Sequence, residues 1–144
     1  MSEALKYHFT VVGGDFTSAG KASVNVKKLL RQLGIAPDVI RRIAIAMYEG
    51  EINMVIHANG GEIDVEIEPE RITMILRDRG PGIPDVAAAM KEGFSTAPDQ
   101  IRSLGFGAGM GLPNMKRYTD SLEIQTELGV GTTLTMTVNV VPQA

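Results

Sequence analysis

The apolar positions of this chain change period several times, and each change marks an element. LKYHFTVV (5–12) is rich in β-formers and alternates in part, which predicts a strand. GGDFTSAG then supplies turn and cap residues. From about Thr17 to Gln32, the residues Ala19, Ala22, Val26, Leu29 and Leu30 recur at helical spacing, and Gly34 is the expected stop. A second helix opens at IAPDV with Pro37 in its first turn and runs to about Ala58, ended by Asn59-Gly60-Gly61.

The period then falls to two. EIDVEIE places Ile63, Val65 and Ile67 on one face, and ITMIL follows after a short Glu68–Arg71 turn, predicting an antiparallel hairpin. Beyond Asp78 the chain is irregular, with a short helix expected at about 85–92 and a glycine-rich loop over 93–111. LPNMKRYTD predicts a helix, and SLEIQTELGVGTTLTMTVNVV a second hairpin turning at Leu128–Gly131. No repeat, linker or low-complexity tract interrupts this order. Two half-apolar hairpins need cover on one face, and three longer helices supply it. The expected fold class is therefore α+β: a two-layer α/β sandwich with a mixed, mainly antiparallel sheet.

Composition narrows the function classes. At 144 residues the chain is expected to form one domain, 1–144. It is 44% hydrophobic and 22% charged, with a formal net charge of -3, so nothing electrostatic points to nucleic acid or a membrane surface. The absence of cysteine excludes disulfides and thiolate-rich zinc sites. No run approaches the roughly 18 apolar residues of a membrane span, and MSEALKYHF lacks the apolar run of a signal peptide. A cytoplasmic protein is expected.

Four stretches could carry chemistry. On the second helix, Glu49 and Asn53 are one turn apart and share a face, a carboxylate that can take a proton beside a neutral oxygen ligand for a hard cation. An ordinary solvated polar face would use the same letters. Glu51 points elsewhere and reads as surface, and His57 suits the negative end of the helix better than a metal. Asp78 is delivered to the end of the first hairpin, with Gly80 and Gly82 bare beside it; it could accept a bond from an exocyclic amine or merely cap a turn.

In LGFGAGMGLPNMKR, alternating glycines lead into a helix start, a natural place for phosphate, or a flexible linker. The spacing is G-x-G-x-G, not the G-x-G-x-x-G of a dinucleotide site. GDFTSAGKAS (14–23) has one residue too many for a P-loop and Ala22 where Ser or Thr belongs. In GVGTTLTMTV, Thr132 or Thr133 could turn a hydroxyl toward whatever Asp78 holds, or simply start a strand.

Each stretch is weak alone, but YEGEIN (48–53), DRGPG (78–82), GAGMG (107–111) and GTT (131–133), in this order and spacing, resemble the Bergerat-fold GHKL superfamily of histidine-kinase-like ATPase domains. Within it the chain looks like the anti-sigma regulatory factors, the small serine/threonine kinases of bacterial partner switching. At 144 residues the chain is expected to leave no room for a histidine-kinase dimerisation helix pair. The lid stretch (83–106) is short, and GAGMGLPNMKRYTDSLEI is similar to that subgroup's last glycine motif and following helix.

The resemblance implies ATP and Mg²⁺ as ligands. It implies Glu49 as general base, Asn53 as the magnesium ligand, Asp78 as acceptor for the adenine amine with Gly80 and Gly82 letting the base approach, Gly107, Gly109 and Gly111 around the phosphates, and Thr132 at the adenine. It implies a protein antagonist of the anti-anti-sigma kind as phosphoacceptor, a sigma factor as a further candidate partner, and a homodimer. The alternative reading is a nucleotide-dependent sequestering module without phosphotransfer. Lys116, Arg117 and Arg102 could help neutralise the phosphates or be ordinary surface charges, and Ser95 and Thr96 are left unassigned. Gly50 costs a helix about 1 kcal/mol relative to Ala, and is read as a place where bulk is unwelcome beside the nucleotide or a partner.

Overall fold

A computed structural model describes residues 4–83, 86, 90 and 111–140 of the chain. Among these residues the order is β1 (Leu5–Val12), α1 (Lys21–Gln32), α2 (Pro37–His57), β2 (Gly60–Ile67), β3 (Arg71–Asp78), α3 (Gly111–Tyr118), β4 (Ser121–Glu127) and β5 (Gly131–Asn139). The strands form one open sheet in the order β1-β2-β3-β5-β4. The α+β sandwich expected from the pattern is borne out. The short helix expected at 85–92, the lid stretch and Gly107 and Gly109 lie outside the described residues.

Every described ladder is antiparallel, where a mixed sheet was expected. The connections explain this. The α1–α2 hairpin returns the chain to the end of the sheet where β1 stopped, so β2 starts opposite Val12 and runs back along it. The crossover through α3 makes β4 parallel to β3, but β5 is inserted between the two and pairs antiparallel with both.

Period-two alternation sorts the sheet's faces. Ile63, Val65, Ile67, Ile72, Met74, Leu76, Leu134, Met136 and Val138 are buried and meet Val26, Leu30, Ile43, Met47 and Met54 of the helices. On the outer face of β1–β3, polar side chains bridge strands: His8 Nδ1 lies 2.7 Å from Asp64, Arg79 donates to Glu62 at 2.7 Å, and Arg77 pairs with Asp64.

Two helical expectations shift. The first helix begins at Lys21 rather than near Thr17; residues 15–20 are turns, and Gly20 enters α1 at φ 93. The α2 face read from the sequence as able to bury was Ile45, Tyr48, Ile52, Val55 and Ile56; Ile52 and Val55 do bury, Ile45 and Ile56 are half-buried, and Tyr48 is 40% exposed, its ring standing over Gly20. The stripe that meets the sheet is Ile43, Ala46, Met47, Gly50 and Met54 instead. Because α2 lies between α1 and α3 and on the sheet, it is apolar on more than one side, and periodicity alone could not choose among them.

Gly50 has a physical account. A Cβ there would run into the Leu76 side chain of β3 and lie 3.6 Å from the Met115 sulfur. Bulk is unwelcome because the helix presses on the sheet, which corrects the reading of Gly50 as facing a nucleotide or a partner.

Candidate functional site

The site is built where the open end of the sheet meets the second half of α2 and the first turn of α3. Asp78 is the last residue of β3. Its Oδ1 accepts the backbone N–H of Gly80 at 3.0 Å and that of Thr132 at 2.9 Å. Two fixed donors on one oxygen orient the whole carboxylate, because rotating it would strand both amides. The bareness of the neighbouring chain serves the same end. A Cβ at position 131 would collide with the Asp78 carbonyl, and the backbone there is at φ 151. A Cβ at Gly80 would lie 2.8 Å from the Ala58 methyl and 3.1 Å from Asp78 Oδ1.

Gly82 has the same character. It sits at φ 83, and a Cβ would lie 2.7 Å from the Glu127 carbonyl. The loop is tied to the β4–β5 turn by Gly129 N–H to the Pro81 carbonyl at 2.9 Å and by Ile83 N–H to Thr126 Oγ1 at 2.8 Å. Beyond the room they were expected to leave for a base, Gly80 and Gly82 are bare because a Cβ would meet Ala58 and the Glu127 carbonyl, so both also set how the loop docks.

Thr132 is 6% exposed, and its hydroxyl lies 2.9 Å from Thr126 Oγ1. Its backbone N–H is what reaches Asp78.

On α2, Glu49 and Asn53 share a half-buried face, as their spacing requires. Both meet α3. Asn114 Nδ2 donates to Glu49 Oε1 at 3.3 Å, and a Cβ at Gly111 would lie 2.8 Å from Asn53 Nδ2. Gly111 is thus bare because the Asn53 carboxamide occupies the space. Sequence reasoning missed Asn114 and Thr126, to which nothing local pointed; Gly131 was read within the GTT motif and the hairpin turn, without its close approach to Asp78.

Glu51 corrects the sequence reading outright. Read as surface, it is 2% exposed. Oε2 accepts the N–H groups of Gly20 at 2.9 Å and Ala22 at 3.2 Å, while Oε1 accepts the Ser23 N–H at 3.0 Å and hydroxyl at 2.7 Å. The unpaired amides at the start of α1 are capped by a carboxylate from another helix, which also gains from the positive end of the α1 dipole. A long-range cap leaves no mark on the local sequence. Glu51 also lines a cleft of about 400 Å³ between β1 and the start of α1, with Thr10, Lys21 and Asn25; Glu49, Asn53, Asp78 and Thr132 are not among its lining residues.

Residues 15–138 match the family model described as histidine kinase-like ATPase domain. The chain belongs to this family. It is 34% identical over 122 residues to the serine/threonine-protein kinase RsbT of Bacillus subtilis, covering 82% of this chain and 84% of that protein. It is 32% identical over 122 residues to the anti-sigma F factor of Bacillus licheniformis, covering 81% of this chain and 80% of the relative. The fold is similar to that of the RsbU and RsbW domains of a Mycobacterium tuberculosis protein, with a TM-score of 0.63 and 18% identity over 97% of this chain and 34% of that one. The resemblance read from the four motifs is therefore borne out, in superfamily and in subgroup. Glu49 and Asn53 stand on α2, and Asp78 ends β3. No helix among the described residues is long and apolar enough to cross a membrane.

Proposed function

We propose that this protein is an ATP-dependent serine/threonine kinase of a bacterial partner-switching pathway, moving the γ-phosphate of ATP to a hydroxyl of a protein antagonist. The reading is supported by the likeness to RsbT and the anti-sigma F factor, and is carried by one observation. A carboxylate pinned by two backbone amides at the end of β3 shares the open end of the fold with a Glu–Asn pair braced against α3.

The residues fit the ligands. With Oδ1 of Asp78 committed to Gly80 and Thr132, Oδ2 would be the oxygen left to accept from the exocyclic amine of adenine, and three donors would leave the carboxylate well paired. Asn53 offers a neutral carboxamide oxygen, which suits a magnesium ion that keeps most of its water and takes phosphate oxygens for the rest. Magnesium, when bound, spreads the negative charge that builds on the γ-phosphoryl oxygens. Glu49 would accept the proton of the attacking hydroxyl, and Gly107, Gly109 and Gly111 are the residues assigned to the phosphates. The leaving group is ADP, and the hydroxyl oxygen gains the phosphoryl group. The acceptor is an anti-anti-sigma-like antagonist; a sigma factor is a further partner, and the protein is cytoplasmic and dimeric in this reading.

Incubating the protein with Mg-ATP and the products of its neighbouring genes is expected to yield phosphoserine or phosphothreonine on one of them. Glu49→Ala lowers the rate about 10²–10⁴-fold, the usual worth of a general base. Undiminished transfer by Glu49→Ala removes the base assignment. ATP binding with partner capture but no transfer by the wild-type protein replaces the kinase with a sequestering module.

A further inference from the structure

Asn114 belongs to none of the four motifs, yet the packing of α2 on α3 places it at the chemistry. Along α2, Arg42, Glu49 and Asn53 are seven and four residues apart and form one stripe. Tyr118, Asn114 and Gly111 answer them in reverse order along α3. Arg42 Nε donates to the Tyr118 carbonyl at 3.1 Å, closing the C-terminal end of α3, and Asn114 Nδ2 donates to Glu49 Oε1 at 3.3 Å. The bare face of Gly111 lies against the Asn53 carboxamide. Beneath this seam Met115, at 0% exposure, packs under Gly50, so α3 cannot slide along α2 without opening the core.

We propose that Asn114 is a positioning residue for phosphoryl transfer, its carboxamide N–H holding one oxygen of Glu49 so that the other is turned to the acceptor hydroxyl; this rests on the reading of Glu49 as general base. A glutamate on a half-exposed helix face has three side-chain torsions to fix, and an unheld carboxylate spends most of its time away from the one geometry that abstracts the proton. A neutral amide donor restrains it without bringing a charge. A lysine in its place would tie the carboxylate into an ion pair, and an aspartate would repel it. Asn114 lies one turn beyond Gly111, on the helix that the phosphate-binding glycines open.

The test uses the full-length protein, Mg-ATP and the acceptor found by the transfer assay above. Asn114→Leu keeps the side chain's size and removes the donor, and Asn114→Ala removes both; each is expected to lower kcat about tenfold while the Kd for Mg-ATP stays within about twofold. Asn114→Ser or Asn114→His, which restore a donor, recover part of the loss. In a Glu49→Ala background Asn114→Leu adds nothing, because no carboxylate remains to be aimed. Unchanged kcat in Asn114→Leu with an inactive Glu49→Ala overturns the positioning role and leaves the base standing. A fall in ATP affinity that accounts for the whole loss also overturns it. Full transfer by Glu49→Ala removes the base and this inference with it.

Discussion

The two sides of α2 carry carboxylates two residues apart and treat them in opposite ways. On the side facing α1, Glu51 is buried and accepts four hydrogen bonds, three from backbone amides that would otherwise have no partner. On the side facing α3, Glu49 is half-buried and receives one long bond from Asn114. A saturated carboxylate in a closed site fixes structure, since moving it or protonating it strands several donors. An under-committed one, a single helical turn from Asn53, retains the lone pairs that proton transfer requires. The same residue type therefore does structural work on one side of the helix and is available for chemistry on the other.

The sharpest way to break this contrast is to remove each carboxylate and measure stability. Glu51→Ala leaves the first amides of α1 and the Ser23 hydroxyl without their acceptor, and is expected to cost about 3 kcal/mol, lowering Tm by roughly 10 °C in thermal denaturation. Glu49→Ala is expected to change stability by less than about 1 kcal/mol while removing transfer. Similar losses of stability in both variants would end the distinction.

Gly50 lies between the two carboxylates and tests what holds the helix at its height above the sheet. Alanine gains about 1 kcal/mol in helix propensity, but its methyl meets Leu76, and overpacking of this kind costs about 1–3 kcal/mol. Chemical denaturation should find Gly50→Ala less stable than wild type by about 1 kcal/mol. Adding Leu76→Val should recover part of that loss, a non-additivity that propensity alone cannot produce.

The smallest effect belongs to the outer sheet face, which shares the saturated character of Glu51 but is open to solvent. The hydrogen bond to Asp64 holds the His8 pKa above 6.5, helped by Glu62, while the bonds from Arg79 and His8 hold Glu62 and Asp64, respectively, below their ordinary values. A raised imidazole pKa stabilises the fold fully below pH 6.5 and ceases to do so as pH rises through the folded value. The lowered carboxylates act in the other direction, contributing above their unfolded values of 4.5 and 3.8 and losing it as pH falls. His8→Thr should therefore depress Tm more at pH 6 than at pH 9, by at most about 2 °C because the pair is exposed and screened. A larger gap at pH 9 would reverse the sign of the argument.

Sequence patterning carried the elements well where one period dominated. The two hairpins, the Pro37 start of α2 and the helix after the last glycine were legible because alternation or a cap marks them locally. It failed on α2, whose apolar residues point to α1, to α3 and to the sheet, so that Tyr48 was assigned inside and Glu51 outside. The motif residues Glu49, Asn53 and Asp78 were legible as a set because their order along the chain is characteristic, although each was ambiguous alone.

By itself, the sequence determined which residue types stand at the end of β3, along α2 and at the opening of α3, because periodicity and glycine placement act within a few residues. Tertiary structure decided what each polar group is bonded to. Oδ1 of Asp78 is committed to Thr132, which is 54 positions away; Glu51 caps a helix 28 to 31 positions away; and Asn114 reaches Glu49 across 65. Hydrogen bonds are satisfied by whatever donor the packed chain brings within about 3 Å, and that partner has no local signature.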